Sequence, residues 1–139
     1  LDTIKKEDKP PAWLEARNEV NETPLLVAAN RGSSEMIQAL LKAGANPNVK
    51  DDLGWIPLIV AVLLGQPEIV KALLNAKANV NAENNEGETA LSRALTALST
   101  ASKLSTTKKV KDTIKLLMKH SNEKIKQKAL EPYKLAEII

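Results

Sequence analysis

The ten-residue stretch TPLLVAANRG, residues 23–32, decides the fold because the chain repeats it. The stretch returns as IPLIVAVLLG at residues 56–65 and, in part, as TALSRA at residues 89–94, each time 33 positions further on. The segments that follow it repeat as well, since IQALL at residues 37–41 matches VKALL at residues 70–74. A fixed period of this length is the signature of a repeat protein.

Each repeat has the sequence features of two short helices joined by a turn. Pro24 and Pro57 stand in the first turn of a helix, where a backbone N–H is not needed, and Thr23 can cap that turn. Ala28 and Ala29 then lie on one helical face, where small side chains let a second helix come close. The sequence therefore predicts stacked helix-turn-helix units.

The chain resembles the ankyrin repeat, in which a turn with Asp and Gly precedes T-P-L-H-x-A-A-x-x-G and then V-x-x-L-L-x-x-G-A-D-x-N. The resemblance covers residues 18–139 and implies an all-α ankyrin-repeat solenoid, with helix-turn-helix units and β-hairpin or turn fingers. Lys77 stands where Gly44 stands one repeat earlier, so a left-handed backbone there should cost about 1 kcal/mol. Asn21 replaces the glycine of the first turn and tolerates the same conformation.

The resemblance also divides the chain into units. We predict a partial repeat or cap at residues 1–17, repeat one at 18–50, repeat two at 51–83, repeat three at 84–125, and the start of a fourth repeat or a cap at 126–139. Repeat three contains about 11 extra residues, placed at about 96–110, relative to repeat two. We expect its first helix to be lengthened by up to two turns and to be followed by a loop rich in Ser, Thr and Lys.

The composition is that of a globular domain with an aliphatic core. Of 139 residues, 43% are hydrophobic and 27% are charged, whereas aromatic residues make up only 2%. The apolar run at residues 55–64 is too short for a transmembrane helix, which needs about 20 residues. The absence of cysteine fits a reducing compartment, and no leader segment is evident. We expect a cytoplasmic protein with no membrane span.

The residues needed for catalysis or metal binding are missing. The chain has no Cys and a single His, His120, which we expect to be exposed near the end of the last long helix. All five glycines serve the repeat pattern, so none is left for a phosphate-binding loop. The sequence predicts no enzyme activity, no cofactor and no metal site.

The resemblance implies a partner protein bound on the concave face, which is formed by turn tips and the first helix of each repeat. The candidate residues are Glu22 and Arg31 in repeat one, Asp52, Leu53, Trp55, Leu63 and Leu64 in repeat two, and Glu88 in repeat three. The apolar character of repeat two predicts a binding hot spot centred on Trp55. In the alternative interpretation, Trp55 folds over its own hairpin, and repeat three partly covers Leu63 and Leu64.

Three other functions stay open at this point. The lysine-rich stretch at residues 103–128 could bind nucleic acid or a phospholipid surface, although it lacks aromatic residues to stack bases, so we do not expect nucleic acid. The chain could be the adaptor or targeting domain of a larger, secreted bacterial effector, which would place it in the host cytoplasm. Asn81 resembles the asparagine that an oxygen-dependent hydroxylase modifies in animal ankyrin repeats. We expect a monomer.

Overall fold

The computed structural model describes residues 11–100 and 104–120, with residues 104–107 described by their backbone only. Within that part of the chain six α-helices follow a 3₁₀ turn at Ala12–Glu15, and there are no β-strands. The helices are α1 (Pro24–Arg31), α2 (Ser34–Lys42), α3 (Pro57–Leu63), α4 (Pro67–Asn75), α5 (Ala90–Thr100) and α6 (Leu104–His120). The all-α helix-turn-helix architecture is confirmed, and the predicted fingers are turns.

The helices begin where the sequence provides caps. The Thr23 hydroxyl accepts a bond from the Leu26 N–H at 3.4 Å, and the Ser33 hydroxyl accepts one from Met36 at the same distance. Proline occupies the first turn of α1, α3 and α4, where its missing N–H leaves no donor unpaired. Helices this short are marginal alone, so their stability comes from packing.

The helices form two rows. The first row is α1, α3 and α5, the second row is α2, α4 and α6, and each first-row helix also packs on the second-row helix that follows it. Ala29, Ala61 and Ala94 are fully buried in the first row, where their small side chains allow close packing. One continuous core therefore runs through all three helix pairs.

The turn tips share one hydrogen-bond arrangement at 33-residue spacing. A side-chain oxygen of Asn18, Asp51 or Asn84 accepts the backbone N–H groups of the residues two and four positions on, at 2.8–3.1 Å. Neighbouring tips are tied together, since the Asn21 amide donates to Asp52 at 2.9 Å and Arg17 donates to the Lys50 carbonyl at 3.0 Å. These bonds fix the position of each tip relative to the next.

The two predicted left-handed positions are confirmed. Lys77 has φ 68° and Asn21 has φ 64°, while Gly44, at the repeat position of Lys77, has φ 100°. Lys77 therefore adopts a conformation that favours glycine.

The predicted Ser/Thr/Lys loop of repeat three is wrong where the structure describes it. Residues 104–110 form the first turns of α6, which has 17 residues against 9 in α2 and in α4. The first helix is lengthened as predicted, because α5 has 11 residues against 8 in α1. No Gly or Pro interrupts this region, and buried Val110, Ile114 and Leu117 keep an apolar helical face. Residues 101–103, between the two helices, lie outside the described part.

The repeat boundaries stay predictions. Residues 1–10 of the partial first unit and all of the unit predicted at 126–139 lie outside the described residues.

Candidate partner-binding surface

The turn tip and first-row helix of repeat two carry the apolar side chains that the sequence singled out. Leu53 is 76% exposed, Leu63 is 40% exposed and Leu64 is 46% exposed. Trp55 is half-buried and packs against the core. We call these four residues the apolar patch.

Trp55 lies between two surface depressions. One, of about 150 Å³, is lined by Trp55, Leu63 and Leu64 together with Asn30 of α1 and the buried Val60. The other, of about 180 Å³, lies toward repeat three, and its lining includes Leu53, Trp55, Asn85, Glu86 and Glu88. The Trp55 main chain is fixed, because its N–H donates to the Asp51 carboxylate at 2.8 Å and its carbonyl accepts from the Asp51 N–H at 3.1 Å. Trp55 is thus fixed through its main chain, and its side chain packs against the core and borders both depressions.

The position of Trp55 is occupied by a hydrogen-bonded glutamate in repeat one. Glu22 accepts from the Asn18 amide at 3.1 Å and from the Asn30 amide at 2.6 Å. In repeat two, Asp51 replaces the asparagine and has no amide to donate. The residue four positions after Asp51 therefore need not accept a hydrogen bond, and Trp55 occupies the position that Glu22 has in repeat one.

Repeat three repeats the polar arrangement. Glu88 accepts from the Asn84 amide at 3.0 Å and forms an ion pair with Arg93 at 3.2 Å. The Asn84 hydrogen bond holds the pKa of the Glu88 carboxyl below its ordinary value; the Arg93 hydrogen bond and charge add to this lowering, and burial opposes it. Glu22 and Glu88 are therefore satisfied by partners within their own repeats.

The remaining candidates lie at the edge of the patch or away from it. Asp52 is exposed beside Leu53 and accepts from Asn21 of the neighbouring tip. Arg31 is exposed at the end of α1 but lines neither depression beside Trp55. Asp52 and Glu22 line neither depression either, and Glu22 and Arg31 line a separate cavity. The structure thus brings together Leu53, Trp55, Leu63, Leu64 and Glu88. Asn30, which lines the smaller depression, joins the group from repeat one.

A larger cavity, of about 630 Å³, was missed by sequence reasoning. Its lining includes Arg31, Val27, Met36 and Leu40 of the first two helices. In repeat two, the positions of Val27, Met36 and Leu40 are taken by Val60, Ile69 and Leu73, each 33 residues later. These three residues are buried where α3 and α4 pack on α1 and α2. The cavity is therefore the stacking face of repeat one, and the repeat register could have revealed it.

The described residues contain no group of three or more His, Cys, Asp or Glu side chains that could hold a metal ion. His120 is exposed at the end of α6, as predicted, with its Nδ1 2.9 Å from the Leu116 carbonyl oxygen. Within residues 11–100 and 104–120, no helix is both long enough and apolar enough to cross a bilayer.

Comparison with known proteins identifies the repeats. A family model described as ankyrin repeats, in three copies, matches residues 12–84, which is more than half of the chain. No curated protein matches the chain.

Proposed function

Because the chain belongs to the ankyrin-repeat family, whose repeats generally mediate protein–protein interaction, we propose that it binds a partner protein through the apolar patch of repeat two. Ankyrin repeats are typically non-catalytic, and the module we propose needs no reacting group.

One observation carries the proposal. Three exposed leucines line the two depressions beside Trp55, at a position where repeats one and three place internally bonded glutamates. Apolar surface of this kind, surrounded by polar side chains such as Asn30, Asn85 and Glu86, is typical of the centre of a binding interface. Trp is also among the side chains that contribute most to binding energy.

The depressions indicate what the partner presents. The smaller one has apolar walls from Val60, Leu63 and Leu64, so it suits an apolar or aromatic side chain. The one toward repeat three combines Leu53 with Glu86 and Arg93, so it suits a polar flank. We therefore expect a partner segment with an apolar anchor and polar neighbours.

The other predictions on function have no support beyond the sequence. The effector alternative, the cytoplasmic location and the monomeric state stay predictions.

Peptides selected on the protein itself give the test. A displayed random library is selected against the immobilised chain, and each enriched peptide is titrated against wild type and the variant Leu53→Ser/Leu63→Ser/Leu64→Ser. Trp55 is left in place because its packing supports the fold. We expect the variant to bind the enriched peptides at least about tenfold more weakly, since hot-spot truncations cost more than 1 kcal/mol each.

The control is Trp13→Ser/Met36→Ser, which removes two large exposed apolar side chains that lie outside the patch and the tip next to it. It should bind the peptides as wild type does, and helical circular dichroism should be unchanged in both variants. Equal losses in the two variants, or undiminished binding by the patch variant, would contradict the proposal.

A further inference from the structure

Helix α6 differs from the other second-row helices in its exposed charge. On α2 these charges are one acid and one base, Glu35 and Lys42, and on α4 they are Glu68 and Lys71. The side chains described on α6 include five exposed lysines, Lys108, Lys109, Lys111, Lys115 and Lys119, against a single exposed acid, Asp112. The excess of positive charge is therefore a property of this helix and not of the row.

Four of these lysines form one line. At 3.6 residues per turn, Lys108, Lys111, Lys115 and Lys119 fall within an arc of about 80°, and they extend over about 17 Å of helix. The opposite side of α6 is buried through residues such as Ile114 and Leu117, so the arc faces solvent. We call these four residues the lysine stripe.

One acid, Asp112, lies beside the stripe, four residues from Lys108 and three from Lys115. None of its lysines forms an ion pair within the described part of the chain, where the pair between Arg93 and Glu88 lies on another helix. Lys111 and Lys115, and again Lys115 and Lys119, are four residues apart, a spacing at which like charges destabilise a helix. Binding of a polyanion relieves this repulsion.

We propose that the lysine stripe binds an acidic segment of a protein partner. The neighbouring α4 carries one exposed acid and one exposed base, Glu68 and Lys71, so the net positive surface is one helix wide. Charge complementarity therefore favours a narrow, linear anion over a broad membrane surface. Among residues 108–120 of α6, whose side chains the structure describes, there is no large exposed hydrophobic side chain to enter a bilayer, and the sequence of α6 contains no Phe, Trp or Tyr to stack on a base.

The spacing fits such a segment. Lysines four positions apart are separated by about 6 Å along the helix axis, and carboxylates four positions apart on an acidic helix have the same separation. Several pairs can then form at once. This surface is on the second row, so the inference goes beyond the proposed function and does not depend on the apolar patch.

The test uses a labelled helical peptide with glutamate at every fourth position, titrated against the full chain by fluorescence anisotropy. The variant Lys111→Gln/Lys115→Gln/Lys119→Gln should bind about tenfold more weakly, as expected for the loss of three exposed ion pairs. The control Lys50→Gln/Lys71→Gln/Lys77→Gln lowers the net charge equally, using exposed lysines that do not form a line. It should change affinity by less than about twofold.

A second variant, Lys115→Glu, reverses one charge in the middle of the stripe and should also weaken binding of the peptide. Circular dichroism shows whether this variant is folded. Binding by the wild type should fall as salt rises. Equal losses in the stripe and control variants, or no loss in either, would overturn the proposal. The proposal would also be overturned if the wild type bound vesicles containing phosphatidylserine, or duplex DNA, more tightly than the acidic peptide and the stripe variant lost that binding.

Discussion

Repeats one and two have nearly the same turn, but the surface beside it is polar in repeat one and apolar in repeat two. In both, one side-chain oxygen, from Asn18 or Asp51, accepts the two N–H bonds that shape the tip. Repeat one then places Glu22 in two hydrogen bonds, whereas repeat two places Trp55 against the core. The turn depends on the side chain of its first residue, so the side chain four positions later is free to vary. A binding surface can therefore change without a change of fold.

The largest expected effect on stability is at Trp55, where packing takes the place of the hydrogen bonds that Glu22 makes in repeat one. Trp55→Ala should lower the free energy of unfolding by about 2 kcal/mol, because Trp55 is half-buried and complete truncations of buried Trp cost about 3–5 kcal/mol. Glu22→Ala should cost only about 1 kcal/mol, the value of a modest surface hydrogen-bond pair. Urea denaturation measures both, with exposed Leu53→Ala as the control. Equal losses at positions 22 and 55 would remove the distinction between the two tips.

A second difference between repeats one and two lies at the end of the second-row helices. Lys77 has the left-handed backbone that Gly44 has in repeat one. Lys77→Gly should therefore raise the free energy of unfolding by about 1 kcal/mol, since glycine adopts this conformation without strain. Gly44→Lys, the reverse exchange, should lower it by at least as much, since the φ of Gly44 is 100°. Chemical denaturation of both variants checks the pair, and a Lys77→Gly variant no more stable than wild type would refute the strain.

The smallest expected effect concerns the polar tip of repeat three. The pKa of Glu88 is lowered from its ordinary value of 4.5, so its ionised form stabilises the fold. This contribution is fully present above about pH 4.5 and is lost as pH falls through the lowered value. Glu88→Gln should cost about 0.5 kcal/mol at pH 7, and the difference from wild type should vanish in acid. Denaturation at a series of pH values tests this, and a difference independent of pH would contradict it.

The fold could be predicted from the sequence because the repeat register fixes it. Two copies of one ten-residue stretch and a partial third gave the helix pairs, and Gly44 identified the strained position of Lys77. The prediction of a loop at the Ser/Thr/Lys segment is wrong because it rests on composition alone. The structure shows that the apolar spacing of Val110, Ile114 and Leu117 outweighs that composition when no Gly or Pro intervenes.

The surface was predictable in character but not in detail. The apolar residues of repeat two stand out against polar positions in the same register. The pairing of Glu22 with Asn30, and of Glu88 with Arg93, depends on side-chain positions that spacing does not specify. The partial burial of Trp55 is likewise a consequence of packing. Sequence alone could not show which candidates are already engaged within the chain.

Amide hydrogen exchange with a bound peptide is the most direct test of the central claim, that repeat two carries the anchoring surface. A peptide selected on the wild-type chain is added, and exchange is followed by mass spectrometry. If repeat two carries this surface, exchange should slow at residues 53–65, with smaller changes in the neighbouring tips and none in α2. Protection confined to the second-row helices, with residues 53–65 unchanged, would contradict it.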